Sequence, residues 1–188
     1  MKKLFLFLGL TFSLSFFAQN VRKEVEMQFR DYSSLIIAKK FEKALDLYAN
    51  EDFLKIVPKE QMVEMMDQLF NSKEMEFKFY DPENVIVLDD PFVINGKNYL
   101  RVKYTQKIEI KFLSADVKPE DLLPGMKAEF GSENVKYNSL TGFFEINTVK
   151  DVLAASADMK QWKFTVLERK QYPLLIQFIP EQFLKDLK

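Results

Sequence analysis

A mixed α+β domain is the fold this sequence predicts, on two changes in the period of its apolar residues. Up to residue 70 they recur every three or four positions, and from residue 76 to 112 they alternate with polar ones. Strand-like spacing then returns over residues 135–167, after one helical excursion near residues 115–133. Helices come first and an antiparallel sheet follows, with one helical excursion between its strands and a closing helix.

The first eighteen residues, MKKLFLFLGLTFSLSFFA, stand apart from that pattern. Lys2 and Lys3 give a positive start, residues 4–17 carry no charge, and Ala18 is a small residue suited to a cut site. A membrane-spanning helix needs about 20 apolar residues, and this run stops sooner, at Gln19, Asn20, Arg22 and Lys23. The expectation is a signal peptide over residues 1–18 and a single domain over residues 19–188, exported to the periplasm or the medium. Phe16 occupies the place, three before the cut, where a small residue is usual, so the cut position stays open.

Three helices follow. Val21, Val25, Phe29, Tyr32 and Ile36 step by four, four, three and four, while Arg22, Lys23, Glu26, Arg30 and Asp31 fall on the opposite side. Phe41, Ala44, Leu45 and Tyr48 carry the same period into a second helix, which Asn50, Glu51 and Asp52 interrupt. Pro58 opens a third with Met62, Met65, Met66, Leu69 and Phe70 at helical spacing, and Asn71 ends it.

The period then changes to two. Phe77 and Phe79 mark a strand closed by Asp81-Pro82, residues 85–88 a second one, and Asp89-Asp90-Pro91 a break. Residues 92–94 lead into Asn95-Gly96, a hairpin turn whose two central residues both require positive φ. Beyond it Leu100, Val102, Tyr104, Gln106, Ile108, Ile110 and Phe112 share one face, and Arg101, Lys103, Thr105, Lys107, Glu109 and Lys111 the other. This strand should bury one face and wet the other. At about 3.3 Å per residue it is long for a small flat sheet, which predicts a strong bend or coil.

Residues 119–123 and 126–130 read as two helical pieces separated by Pro124-Gly125, with Gly131 as a stop. Four strands should follow, over residues 135–137, 143–148, 152–156 and 162–167, with turns near 138–142, 149–151 and 157–160. Trp162, Phe164 and Val166 are expected to face inward. Pro180 begins a short amphipathic helix through Phe183, Leu184 and Leu187. The apolar stretch from residue 172 to 187 could dock on a membrane or a partner, but it lacks the dense basic face of an interfacial helix, which favours packing on its own sheet.

Composition excludes much chemistry. The chain has no cysteine, so it forms no disulfide, thiolate nucleophile, zinc-thiolate site or lipid-modified cysteine. It has no histidine, which removes the commonest general base and transition-metal ligand. Loss of Lys2 and Lys3 would leave 25 basic against 28 acidic residues, interleaved and without a basic block, so nucleic acid is not an expected partner. No stable membrane anchor is expected in the mature chain. Glu51-Asp52, Asp89-Asp90 and Glu120-Asp121 are sequence neighbours that point apart on a strand or diverge by about 100° on a helix, so they read as solvated element ends rather than catalytic pairs. Neither a calcium loop nor a glycine-rich phosphate loop is present, and no cofactor or metal site is expected.

The residues singled out for binding are Gln106 and Tyr104 on the long strand and Met62 and Met66 on the third helix. A buried amide left unpaired costs on the order of 1–3 kcal/mol, so Gln106 either bonds the backbone or orients a ligand in a cavity between helices and sheet. The methionines, with Met65 beside them, form an adaptable apolar wall suited to packing or to a guest. Element order, the long strand over residues 99–112 and the late Trp162-Lys163-Phe164 strand resemble the nuclear-transport-factor-2-like superfamily, over roughly residues 21–170. That resemblance implies helices on a strongly curved, cone-shaped antiparallel sheet. Its members include isomerases, dehydratases, transport factors and noncatalytic exported domains, so fold alone does not choose a function.

The leading expectation is a noncatalytic exported domain that binds a small apolar ligand or a protein partner. A second is an enzyme of the isomerase or dehydratase type with Tyr104 as a hydrogen-bond donor. Such relatives use an inward aspartate or histidine, whereas the inward strand positions legible here are apolar, tyrosine or glutamine. The third is an envelope structural or assembly factor pairing through an exposed sheet face, as a homodimer or with another protein.

Overall fold

The computed structural model describes the backbone of residues 2–88, 91–114 and 116–187, with side chains from Gln19 onward. The expected break at Asp89-Asp90 and the side chains of the expected signal peptide lie outside the described residues. Helix α1 (Lys2–Ile37) buries Val21, Val25, Phe29 and Ile36 and exposes Arg22, Lys23, Arg30 and Asp31, as its period predicts. Lys39, at a φ of 55°, turns the chain into α2 (Phe41–Tyr48), whose Phe41, Ala44 and Leu45 are buried. Ala49 ends that helix, and Asn50 caps the single turn α3 (Glu51–Leu54), its Oδ1 accepting from the Asp52 N–H at 2.9 Å. Helix α4 (Lys59–Phe70) starts after Pro58 and stops at Asn71.

Strands β1 (Met75–Phe79), β2 (Glu83–Val87) and β3 (Phe92–Ile94) run antiparallel to β4 (Lys97–Phe112) and succeed one another along a single edge of it. Asn95 at φ 50° and Gly96 at φ 77° make the two-residue turn between β3 and β4. Asn84, at φ 49°, sits where the β2 register shifts between Glu83 and Ile86, the geometry of a bulge.

Helix α5 (Pro119–Phe130) corrects the expectation of two helical pieces, because the helix runs through the exposed Pro124 without stopping. Strand β5 (Val135–Asn138) follows, then β6 (Phe143–Ser156) and β7 (Lys163–Val166). Strand β6 corrects a second expectation, since no turn occurs at residues 149–151. It pairs with β4 continuously from Asn98↔Ser156 to Ile110↔Phe144. The reason is long-range: the unbroken edge of β4 offers a hydrogen-bond partner at every step, which outweighs the local turn preference of Lys150-Asp151. Strands β5 and β7 pair with the far edge of β6, giving an open seven-stranded antiparallel sheet.

One face of the sheet carries Leu100, Val102 and Tyr104 with Val152, Ala154 and Phe164, covered by Val21, Val25 and Phe29 of α1. Farther along that face Ile108, Ile110 and Phe112 meet Leu122, Leu123 and Met126 of α5. The opposite face departs from the expectation of a wet side. There Tyr99, Leu153, Ala155 and Leu167 lie under Leu175, Ile179, Phe183 and Leu184 of the C-terminal stretch, which folds into α6 (Tyr172–Leu175) and short 3-10 turns. Arg101 pins this layer by donating to Asp186 Oδ2 at 3.1 Å and to the Phe183 carbonyl at 3.3 Å. Among the residues whose side chains are described, no helix is long and apolar enough to cross a membrane.

Candidate functional site: an apolar cavity between α1, α4 and the sheet

Three of the four residues singled out for binding meet at one cavity of about 230 Å³. Helix α1 contributes Phe29, Tyr32, Ser33 and Ile36, and α4 contributes Met66, Leu69 and Phe70 from its last two turns. Phe77 and Phe79 of β1, Tyr104 and Gln106 of β4, and Val166 of β7 complete the wall. The strand residues reach it by pairing: Phe79 lies opposite Ile108 and Phe77 opposite Ile110, so both rings share the face of Tyr104 and Gln106. Phe70 holds the outer rim, its ring 5.3 Å from that of Phe77 and 6.4 Å from that of Phe79. Met62, one turn before Met66, is not among the lining residues. A turn of helix separates them along the axis, and Phe70, at the C-terminal end of α4, packs its ring on Phe77 and Phe79 of β1.

Gln106 is 5 % exposed, and its amide is bonded as the backbone alternative requires. Nε2 donates to the Tyr80 carbonyl at 3.0 Å and to the Lys107 carbonyl at 2.8 Å. Tyr104, 6 % exposed, packs edge-on to Phe29 with centroids 4.8 Å apart, and its hydroxyl forms no hydrogen bond with a described residue. Burial pushes its ionisation above the usual phenol range, helped by Tyr32 and by the negative Glu168. Burial raises Tyr32 as well, so both phenols are neutral. Ser33 donates its hydroxyl to the Phe29 carbonyl at 3.0 Å, one turn back on α1.

Among the described residues, no acidic or basic side chain lines this cavity. Among the described residues, two tyrosine-carboxylate pairs lie elsewhere. Tyr48, whose ring packs 6.0 Å from that of Tyr32, donates to Asp31 at 2.6 Å, and Tyr80 to Glu109 at 2.8 Å. Glu109 has the strand parity opposite to Gln106, so it belongs to the other face of the sheet. Burial and those hydrogen bonds push Tyr48 and Tyr80 up to about 12. Burial opposes ionisation of Glu109, yet hydrogen bonds from Tyr80 and Lys107 outweigh it and hold the carboxyl below its ordinary value. Among the described residues no group of three or more acidic side chains could hold a metal ion.

A second hollow of about 180 Å³, beside Asn50, Lys97, Ser156 and Lys163, has its cations committed. Lys97 bonds Asp52 at 2.9 Å, and Lys163 bonds the Leu47 carbonyl at 2.8 Å. Sequence reasoning identifies the polar end of the first cavity and one wall, but not Ser33, Ile36, Leu69, Phe70 and Val166 as lining. A signal for Ser33 is present, as a small polar residue next to the apolar stripe of α1. Neither a family model nor a curated protein matches this chain.

Proposed function

We propose that this chain is an exported, noncatalytic domain that binds a small apolar ligand in the cavity between α1, α4, β1 and β4. One observation carries the reading: the cavity has aromatic and aliphatic walls, a polar end made by Gln106 and Tyr104, and no charged residue among its described lining. Its volume is suited to a ring-sized guest, since an apolar cavity of about 150 Å³ already admits benzene. Met66 lends the wall the adaptability of an unbranched thioether. An isomerase or dehydratase would need an acid or base beside the bound molecule, and the nearest tyrosine-carboxylate pairs lie outside the wall. The order of helices and strands supports membership of the nuclear-transport-factor-2-like superfamily as part of the same proposal.

Titration of benzene into protein with labelled methyl groups tests the binding reading. Saturable shifts of the Met66 and Ile36 methyls are expected, and they should vanish in Met66→Trp, which fills the space. Shifts spread over the surface without saturation would sink it. Export is supported by the composition of residues 1–18, with a positive start, an uncharged apolar run and a small closing residue. The intact mass of the protein recovered outside the cytoplasm should correspond to a chain beginning at Gln19. Full-length protein retained inside the cell would overturn that part.

A further inference from the structure

We infer that the cavity selects a neutral ring compound bearing a hydroxyl group, of the small alkylphenol class, and discriminates against both the plain hydrocarbon and the carboxylate anion. This rests on the proposed binding role and specifies the chemistry of the same site. The key atom is Gln106 Oε1. Two carbonyls, of Tyr80 at 3.0 Å and Lys107 at 2.8 Å, face the other end of the amide. Carbonyl oxygens only accept, so the nitrogen must lie against them and the oxygen must point away.

Oε1 accepts no hydrogen bond from a described residue, and the Tyr104 hydroxyl has no such partner either. Neither atom is sealed in protein. Among the described residues, the fully buried side-chain polar atoms left without a partner are Arg101 Nε, Trp162 Nε1 and Thr165 Oγ1. Both groups are therefore open, and the cavity is the space that Tyr104 and Gln106 share. They stand two positions apart on one strand face, which offers a guest an acceptor beside a hydroxyl that can donate or accept. A ligand hydroxyl matches both functions. The ring preference follows from the wall, where Phe29, Phe70, Phe77 and Phe79 present faces and edges for offset or edge-on packing.

Charge selection follows from what is missing and from what stands nearby. No described lining residue is a cation able to pair with a carboxylate, and an ion buried without a partner is strongly disfavoured. Glu168, bonded to Lys150 at 2.5 Å, is the charged residue whose field reaches Tyr104. The field that Tyr104 feels from Glu168 opposes added negative charge.

The test compares 4-ethylphenol, ethylbenzene and 4-ethylbenzoate by calorimetry on the wild-type protein at neutral pH. The phenol is expected to bind about three- to tenfold tighter than ethylbenzene, the gain of one hydrogen bond, and the benzoate to bind weaker than either. In Gln106→Leu the phenol-to-hydrocarbon ratio should fall to one or below. A hydrocarbon that binds as well as the phenol, or a benzoate that binds best, overturns the selectivity while leaving the cavity a ligand site. Failure of all three probes to bind overturns the binding role itself. The wild-type comparison stands even if the leucine variant does not fold.

Discussion

Phe29→Ala measures how firmly α1 is clamped to the sheet. Phe29 is 2 % exposed, and its ring packs edge-on to Tyr104 at 4.8 Å and to Phe164 at 5.3 Å. Removing the ring forfeits about 2–3 kcal/mol of apolar burial and two aromatic contacts worth roughly 0.5–1.5 kcal/mol each. The better helix propensity of alanine returns about 0.5 kcal/mol. The expected loss is about 2.5–5.5 kcal/mol, bracketing the usual range of about 3–5 kcal/mol for a buried Phe→Ala change. Urea unfolding at constant slope should show it as a lower midpoint, and Tm should fall by at least about 5 °C for a domain of this size. Met27→Ala, two residues away and 57 % exposed, is the control and should stay within about 0.5 kcal/mol. A Phe29→Ala loss below about 1.5 kcal/mol, or equal losses in the two variants, would refute the assignment of Phe29 to the core.

Three other perturbations probe the second layer, the carboxylate-bonded phenols and the hairpin turn. Leu184→Ala, at a fully buried position of the second layer, should cost about 2–4 kcal/mol in urea unfolding, and a loss under about 0.5 kcal/mol would mean that the C-terminal stretch is not docked on the sheet. Tyr48 and Tyr80 are raised to about 12 from 10.0, so their contribution to stability is fully present below pH 10 and is lost as pH climbs toward 12. Residue-resolved ring signals of Tyr48 and Tyr80 should therefore report ionisation only together with loss of circular dichroism, and either ring titrating near pH 10 in an intact fold would contradict this. Gly96→Ala meets no atom within 4 Å, so its cost should be the backbone strain of φ 77° alone, on the order of 1 kcal/mol in thermal unfolding. A cost of several kcal/mol would show that the turn is constrained by packing as well.

Elements set by neighbouring residues are legible in the amino-acid order. The four-four-three-four stripe of α1, the stop at Asn71, the Asn95-Gly96 turn and the even-odd parity of β4 all depend on backbone sterics or on side chains a few positions apart. Parity is enough to place Tyr104 and Gln106 on the core face. It also predicts that Gln106 needs a partner, though not that its nitrogen takes two backbone carbonyls and leaves the oxygen free. Met66 and Met62 carry identical local signals, and only the contact of the end of α4 with β1 separates the one that lines the cavity from the one that does not.

Where the expectations fail, the deciding partner is distant in the chain. Residues 149–151 favour a turn locally, yet the ladder with β4, more than forty positions earlier, keeps them extended. The odd face of β4 reads as wet because its alternating residues are charged, and its covered end depends on a C-terminal stretch that meets it some eighty residues later through Arg101 and Asp186. Amino-acid order alone determined the α+β class, the helix stripes, the strand parity and the chemistry excluded by the lack of cysteine and histidine. Tertiary structure decided how many strands there are, which face each layer covers and where a cavity remains, because hydrogen-bond ladders and packing act between segments whose proximity no local period encodes.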